Sequence, residues 1–263
     1  MSMLRPRIIP SLLVSDGGLI KTVRFTNPKY VGDPINAVRI FNEKEVDELI
    51  VTDVRATVQD REPDYALIRK LAAECRMPLC YGGGVKAVEQ AEKIISMGVE
   101  KVAISSAAIQ DPVLVSRMAA TVGSQSVVVV IDVKRDRGSG YQVWTHNGTR
   151  RTGKSAIEFA AQVESLGAGE IVVNSIDNDG CMQGYDLELL AQVREVTSVP
   201  LTALGGAGSL GHVRELITRF GLIGAAAGSL FVFKGVYRAV LISYPARADK
   251  EALVTGAQGG DNR

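Results

Sequence analysis

Asp132 is the first residue whose type and position suggest chemistry, because it ends the apolar run Val127–Ile131. An unbroken run of β-branched residues predicts a strand that is buried on both faces, as in a parallel sheet covered by helices. Functional side chains of closed α/β barrels lie at the C-terminal ends of such strands. We therefore identify Asp132 as a candidate catalytic residue, with the capping of a local turn as the simpler alternative.

Two glycine-rich segments have the composition and spacing of phosphate-binding loops. Glycines let backbone N–H groups approach an anion closely, and a serine at the start of a helix adds a hydroxyl group. Gly82 precedes Ser106 by 24 positions, and Gly205 precedes Ser229 by the same 24 positions. We predict two phosphate cups, which would hold a small molecule with a phosphate at each end. Their residues are Gly84, Ser105 and Ser106 in the first cup and Gly206, Gly228 and Ser229 in the second, which Asp179 and Gly180 border.

The elements that would position these residues are eight short apolar segments, which alternate with amphipathic patterns. This number of units over about 245 residues predicts a (β/α)₈ TIM barrel of the phosphate-binding type. The segment Glu48–Val51 resembles Glu170–Val173 at an offset of 122 residues, and the glycine segments repeat at 123, which predicts two similar half-barrels. A doubly wound sheet is the alternative, but its Gly-x-Gly-x-x-Gly motif is absent after the first strand. The predicted strands are Arg7–Val14, Glu48–Asp53, Pro78–Tyr81, Lys101–Ser105, Ser126–Val133, Glu170–Asn174, Pro200–Leu204 and Ile223–Ala227.

Three segments lie outside this alternation. Residues 21–34 predict a long polar loop that folds over the site. Residues 134–153 contain Asn147-Gly148 between two strand-like stretches, which predicts a hairpin. We expect one barrel domain over residues 1–245 and a polar, flexible tail over residues 246–263.

Composition argues against several classes of protein. Thirty basic and 29 acidic residues give a formal net charge of +1, and a basic arm or an 18-residue apolar run is absent, so we expect neither a nucleic-acid nor a membrane partner. The three cysteines lack metal-site spacing and there are only two histidines, so we expect neither a metal nor a cofactor. An odd number of cysteines without a signal peptide favours a cytoplasmic location.

The combined motifs resemble those of the cyclase subunit of imidazole glycerol phosphate synthase, over about Leu4 to Tyr244. The resemblance implies that a separate glutaminase subunit docks on the barrel and supplies ammonia, which the cyclase adds to a bisphosphorylated ribonucleotide. It also implies acid–base catalysis by two aspartates at the ends of strands one and five. Asp132 matches the second aspartate, whereas Leu13 stands at the position of the first. The motifs are Arg7–Leu12, Gly32–Pro34, Gly82–Gly84, Ile131–Arg135, Ser175–Gly180 and Gly205–Gly208.

The resemblance also assigns roles at the N-terminal ends of the strands. Four charged residues begin predicted strands and match the family's gate, through which ammonia enters the barrel; the alternative is a ring of salt bridges that only stabilises this face. Glu100 matches an acidic residue that faces the glutaminase. The gate residues are Arg7, Glu48, Lys101 and Glu170.

An intact gate beside an altered acid–base pair favours a paralogue that passes ammonia onward, because leucine cannot transfer a proton. Such paralogues resemble second copies found in bacterial surface-polysaccharide (O-antigen, lipopolysaccharide) gene clusters, where a sugar amidotransferase is expected to make an acetamidino sugar. The alternative is a true cyclase of histidine biosynthesis, which is a lyase. A third hypothesis, a related barrel that isomerises a similar bisphosphate, also requires a carboxylate where Leu13 stands.

Overall fold

The computed structural model describes residues 5–258, in which eight parallel strands close into a barrel. All eight predicted strands are confirmed, with ends that differ from the prediction by no more than three residues. The strands of this barrel are, in chain order, β1 (Arg7–Ser15), β4 (Leu49–Asp53), β5 (Leu79–Gly82), β6 (Lys101–Ile104), β7 (Val127–Asp136), β10 (Glu170–Ser175), β11 (Leu201–Leu204) and β12 (Gly224–Ala227).

Pairing of the strands is continuous around the ring. β1 pairs with β12 on one side and β4 on the other, and β7 pairs with both β6 and β10. Strands one and five of the ring, β1 and β7, therefore lie opposite each other, as do the β5–β6 and β11–β12 pairs. Because all eight strands run in parallel, their C-terminal ends meet at one face of the barrel.

Helices cover the outside of the barrel, and several begin at an aspartate or serine cap. Asp33 accepts a hydrogen bond from the Asn36 N–H at 2.8 Å, and Asp186 accepts one from Leu189 at 3.0 Å. These contacts satisfy N–H groups that the first helical turn leaves without partners. The helices are α1 (Pro34–Glu43), α2 (Tyr65–Glu74), α3 (Val88–Ser96), α4 (Ser106–Gln110), α5 (Val113–Val122), α6 (Ala156–Ser165), α7 (Leu187–Val196), α8 (Leu210–Phe220), α9 (Ser229–Val232) and α10 (Arg247–Gln258).

The apolar residues form two clusters because each barrel strand has an outer and an inner face. The larger cluster lies between strands and helices, and the smaller one fills the barrel. The inner residues are Ile9, Ile50, Cys80, Ala103, Val128, Val172 and Ala226, with Val130 and Leu204 packed against them.

Two antiparallel hairpins extend the barrel at its C-terminal face, one after the first strand of each half. β2 (Gly18–Val23) and β3 (Thr26–Gly32) follow β1, and β8 (Gly140–Thr145) and β9 (Arg150–Ser155) follow β7. The second hairpin confirms the prediction from Asn147-Gly148. The expected loop at residues 21–34 is wrong in detail, because most of it is a hairpin. Its turn uses Arg24 and Phe25 at positive φ, without the glycine that usually signals such a turn.

The C-terminal segment also differs from the expected flexible tail. Residues 247–258 form α10, in which Leu253 is only 1% exposed, and Lys250 Nζ lies 2.9 Å from Asp47 Oδ1. The buried Leu253 and the contacts of Lys250, which also donates to the Glu45 carbonyl oxygen at 3.0 Å, help to hold this helix against the barrel. Residues 259–263 lie outside the described part of the chain. Over residues 5–258, no helix has the length and apolar content needed to cross a membrane.

Candidate functional site

A cavity opens at the C-terminal face of the barrel, directly above the inner apolar cluster. Residues Ile50, Cys80, Ala103, Val130, Val172 and Leu204 belong to that cluster and also form part of the cavity wall. The cavity also contacts the side chains of Leu13 and Asp132 from opposite strands. The site therefore connects downward to an apolar barrel interior and upward to the hairpins.

Asp132 lies in the wall of this cavity on β7. Asn174, on the neighbouring strand β10, donates a hydrogen bond from Nδ2 to Asp132 Oδ1 at 2.9 Å. Burial, together with the nearby Asp179, raises the pKa of Asp132 to about 6, although the hydrogen bond from Asn174 acts to lower it. A carboxyl group with a pKa near neutrality can both accept and donate a proton at physiological pH.

Leu13 gives the opposite wall of the cavity an apolar side chain. It pairs with Thr52 on β4 and Ile20 on β2, and this register directs it into the cavity. Asp16 does not replace a carboxylate there, because it occupies a turn at φ +50° and lies 3.7 Å from Arg55 with an exposed side chain. Asp132 consequently has no acidic partner on β1.

Asp53 is the other acidic residue that lines the cavity among the described residues. Its Oδ1 accepts hydrogen bonds from the backbone N–H groups of Arg55 at 2.8 Å and Ala56 at 3.1 Å. Asp53 therefore holds the turn after β4 through these two hydrogen bonds.

The first predicted cup opens into the cavity. Gly83 and Gly84 have φ values of +111° and +75°, and a Cβ on Gly83 would lie 2.3 Å from the carbonyl oxygen of Asp53. Ser105 and Ser106 also line the cavity, and Ser105 Oγ is buried without a hydrogen-bond partner among the described residues. A buried hydroxyl without a partner is costly, so a polar ligand in this cup would satisfy it.

The second predicted cup is covered by the β2–β3 hairpin. Lys21 Nζ lies 2.9 Å and 3.0 Å from the two carboxylate oxygens of Asp179, and a Cβ on Gly228 would meet Lys21 Cε at 2.9 Å. Gly180 packs against the backbone of Thr22. A ligand that reaches this cup must therefore share space with the Lys21 side chain.

The glycine and serine of the second cup repeat the features of the first. Gly206 has φ +110°, and a Cβ there would lie 2.0 Å from the carbonyl oxygen of Gly184. Ser229 is 3% exposed, and its Oγ also has no hydrogen-bond partner within the described residues. Both cups therefore have two features of anion-binding sites. Each has a glycine where the backbone is tightly packed, and each has a buried serine hydroxyl without a hydrogen-bond partner among the described residues.

Four charged side chains form a closed ring at the N-terminal face of the barrel. Lys101 Nζ lies 2.8 Å from Glu48 Oε1 and 2.8 Å from Glu170 Oε2. Arg7 lies 2.8 Å from Glu170 and is also ion-paired with Glu48. The four residues begin or immediately precede their strands, as the sequence predicts, and the parallel register brings them together.

The ion pairs within the ring offset the desolvation of its buried Glu170 carboxylate. Desolvation acts to raise the pKa of Glu170, but the contacts from Arg7 and Lys101 outweigh it and hold the pKa below its usual value. Thr202 Oγ1 adds a hydrogen bond to Glu170 Oε1 at 2.6 Å. The Glu170 carboxylate therefore remains charged, and the ring closes the lower end of the barrel.

Glu100 lies on the same face as the ring, and its side chain is exposed. One carboxylate oxygen, Oε2, accepts a hydrogen bond from the Leu79 N–H at 2.7 Å at the start of β5. This contact fixes the side chain at the lower rim and is also a sufficient local reason for an acidic residue there.

Sequence reasoning missed three polar residues around the cavity. Lys21 belongs to the segment predicted as a loop, and a lysine in a polar segment after strand one could have indicated an anion site. Asn174 lay in a predicted strand, and only the β7–β10 register brings it to Asp132. His146 also lines the cavity; burial and Arg150 lower its pKa, and Arg150 NH1 lies 3.1 Å from its Nε2.

Comparison with known proteins identifies the family of this barrel. Residues 7–238 match the family described as "Histidine biosynthesis protein". A Leptospira borgpetersenii protein named "Putative imidazole glycerol phosphate synthase subunit HisF" is 57% identical over 252 residues, which cover 95% of this chain and 99% of that protein. A Pseudomonas aeruginosa protein, "Putative imidazole glycerol phosphate synthase subunit hisF2", is 54% identical over 92% of this chain and 97% of its own.

A further relative has a name that contains neither the word "Putative" nor a copy number. The "Imidazole glycerol phosphate synthase subunit HisF" of Exiguobacterium sibiricum is 42% identical over 229 residues, which cover 87% of this chain and 91% of that protein. The matches span nearly the whole barrel and agree with its closed eight-stranded architecture. The chain therefore belongs to the histidine biosynthesis protein family, among its HisF-like members.

Proposed function

We propose that this chain is the ammonia-receiving subunit of a glutamine-dependent amidotransferase complex, and that the ammonia passes to a separate sugar-amidating enzyme. The observation that carries this proposal is the apolar wall opposite Asp132. Leu13 cannot accept or donate a proton, and Leu204 adds a second apolar side chain to the cavity. A positioned acid–base group typically contributes about 10²–10⁴-fold to a rate, so a cyclase lacking one would be severely weakened.

The lower half of the barrel supports the transfer of ammonia. The four-charge ring would be the gate, and the inner apolar cluster leads from it to the cavity. Ammonia can cross such an interior in its neutral form, because burying an ammonium ion without a partner is costly. A glutaminase subunit that docks on the face of Glu100 would release ammonia directly at the ring.

A true cyclase of histidine biosynthesis is the second candidate, and the two cups favour it. Each cup has a buried serine hydroxyl that lacks a hydrogen-bond partner within residues 5–258 and lies near tightly packed glycines, which suits a bisphosphorylated substrate. Asp132, with its pKa raised to about 6, would then act as the single acid–base group. The cups are also compatible with the first proposal, as sites inherited from the family or used by a phosphorylated sugar.

A substitution of Leu13 separates the two candidates. The enzyme is supplied with the family's bisphosphorylated ribonucleotide and ammonium salt, and imidazole product is measured. We expect negligible turnover by the natural chain and a gain of about 10²-fold or more in Leu13→Asp. Leu13→Asn is the matched control, because it adds a polar group of the same size that cannot act as an acid or base.

Imidazole formation by the natural chain at ordinary enzyme rates, about 1–10³ per second, would refute the first proposal in favour of the lyase. A gain in Leu13→Asn equal to that in Leu13→Asp would show that polarity alone matters at this position, and would remove the acid–base argument.

A further inference from the structure

We propose that the upper rim of the barrel is a docking surface for an acidic protein, namely the enzyme that consumes the ammonia. This inference rests on the proposed function and identifies the surface through which it would operate. The upper rim consists of the β2–β3 and β8–β9 hairpins and a third hairpin, β13 (Phe233–Lys234) and β14 (Ala239–Val240).

The first two hairpins directly follow the C-terminal ends of barrel strands, and the third follows β12 after the one-turn helix α9. The first and third are joined directly: Lys29 Nζ donates to the Arg238 carbonyl oxygen at 2.9 Å. Arg238 in turn donates to the Gly180 carbonyl oxygen at 3.0 Å, beside the second cup. The second hairpin reaches the opposite wall through Asn147, which donates to the Val54 carbonyl oxygen at 2.9 Å.

The charge of the upper rim differs sharply from that of the whole chain. Residues 18–32, 140–155 and 229–241 contain eight lysines and arginines and neither aspartate nor glutamate, while the complete chain carries only +1. Lys21 is buried on Asp179 and Arg151 is ion-paired with Asp136, whereas most of the other cations are exposed. The basic residues are Lys21, Arg24, Lys29, Arg150, Arg151, Lys154, Lys234 and Arg238. A partner surface that complements this rim is acidic.

The third hairpin also presents apolar side chains to solvent. Val236 and Tyr237, in its turn, are 91% and 93% exposed, and Val240 and Leu241 are about half exposed. Tyr30, next to Lys29 on β3, is 66% exposed. The barrel does not need these side chains for its core. Tyrosine and other large apolar residues beside arginine are characteristic of the centre of protein interfaces.

The basic charge and the exposed apolar side chains together favour an acidic protein as the partner. A small phosphorylated ligand would use the cups and the cations, but it would leave Val236 and Tyr237 in water. A second copy of this chain docked face to face would bring two basic rims together, which is repulsive. An acidic protein with an apolar depression satisfies both features.

The position of the surface matches the task in the proposed function. Ammonia that crosses the barrel emerges in the cavity beneath the upper rim, where bulk water would protonate and dilute it. An acceptor enzyme seated on the rim would receive ammonia without release. The cation-rich edge would accelerate the encounter and orient the partner over the opening.

The test uses the full chain with its glutaminase and, as the probe, a purified sugar-amidating enzyme of the class that the proposed function names. Binding is measured by sedimentation velocity at two salt concentrations. Transfer is measured with amide-¹⁵N glutamine in excess unlabelled ammonium, so that ¹⁵N in the sugar product reports channelled ammonia. The variants are Val236→Asp/Tyr237→Asp, with Val113→Asp as the control; Val113 is 53% exposed at the start of α5, across the barrel.

We expect the double variant to weaken binding by about tenfold or more, as loss of a buried interface anchor does. The ¹⁵N fraction in the product should fall while glutamine hydrolysis continues, and Val113→Asp should retain both. Higher salt should weaken binding of the natural chain. Normal binding and ¹⁵N transfer by the double variant would overturn the docking surface while leaving the proposed function intact.

Two other outcomes also overturn the proposal, and they differ from each other. Self-association of the natural chain that the double variant abolishes would assign the patch to a second copy. Imidazole formation by the natural chain, together with no binding of the amidating enzyme, would refute the proposed function itself.

Discussion

Replacing Lys101 by methionine tests the four-charge ring most directly. Lys101 Nζ lies 2.8 Å from a carboxylate oxygen of Glu48 and 2.8 Å from one of Glu170, and those side chains are only 4% and 5% exposed. Methionine keeps an unbranched side chain of similar length but removes the charge. Two buried carboxylates would then share Arg7 alone.

The expected cost follows from this geometry. Removing one partner of a buried ion pair typically destabilises a protein by about 3–5 kcal/mol, because it leaves an uncompensated charge. Lys101 is 18% exposed and Arg7 still contacts both carboxylates, so we expect the lower end, about 3 kcal/mol at pH 7. Urea unfolding at 25 °C measures this difference. Lys70→Met, at an exposed position on α2, is the control and should change stability by less than about 0.5 kcal/mol.

The pKa of Glu170 determines how the loss of stability in Lys101→Met depends on pH. In the natural chain the pKa of Glu170 is held below its ordinary value of 4.5, so its contribution to stability is present above that pH and is lost as the pH falls through the folded pKa. Without Lys101 the pKa of Glu170 rises. The deficit of Lys101→Met should therefore be greatest near neutral pH and shrink below about pH 4.5, as Glu170 takes up a proton.

The same variant separates a gate from a purely structural ring. In the complex with glutaminase, we expect more glutamine to be hydrolysed per nitrogen transferred, because the entrance to the barrel is changed. A normal ratio combined with the expected loss of stability would assign the ring to stability alone. A loss below about 1 kcal/mol that does not depend on pH would refute the electrostatic reasoning itself.

Three further predictions follow from other parts of the barrel. Asp132→Asn should stabilise the fold by about 1–3 kcal/mol above pH 7 and have little effect below pH 4, because the raised pKa of Asp132, about 6, makes its charged form unfavourable in the folded state; urea unfolding against pH measures this. Gly206→Ala should lower Tm by several degrees or prevent folding, because its Cβ would lie 2.0 Å from the Gly184 carbonyl oxygen. Leu253→Ala should cost about 2–5 kcal/mol if α10 is part of the core.

Each of these substitutions has a matched control or a clear contrary result. Gly153→Ala also places alanine at positive φ, +73°, but meets no atom within 4 Å, so an equal loss would mean that backbone conformation alone matters at Gly206. Leu222→Ala removes an exposed leucine and should be nearly neutral; an equal cost would contradict burial as the cause at Leu253. For Asp132→Asn, a gain that persists unchanged at pH 4 would contradict a raised pKa.

The positions of residues near the strand ends were predictable, because in a parallel barrel the starts of all strands lie at one face and their ends at the other. A segment that begins with Arg7, Glu48, Lys101 or Glu170 delivers that charge to the lower face once all strands run the same way. The first glycine–serine segment likewise comes from strand ends that line the cavity, whereas the second segment is absent from the lining. Local patterns sufficed there, because each feature depends on a single strand and its direction.

The hairpin at residues 18–32 and helix α10 were not predictable in the same way. β3 has five consecutive exposed residues and contains Pro28, so it lacks the alternation that indicates a strand, and its pairing with β2 supplies what its composition does not. α10 has only one leucine and one valine among its twelve residues, and an ion pair from Lys250 to Asp47 helps to anchor it. Both depend on partners distant in the sequence.

The sequence by itself determined the eight-stranded barrel, the charges at its lower face, the glycines at its upper face and the leucine that stands opposite Asp132. Only the tertiary structure placed Asn174 on Asp132 and Lys21 on Asp179, and only it joined the first basic hairpin to the third. The physical reason is that a strand's register and direction are encoded locally. Which side chains then meet across strands, and which remain in water, depends on the closure of the whole ring.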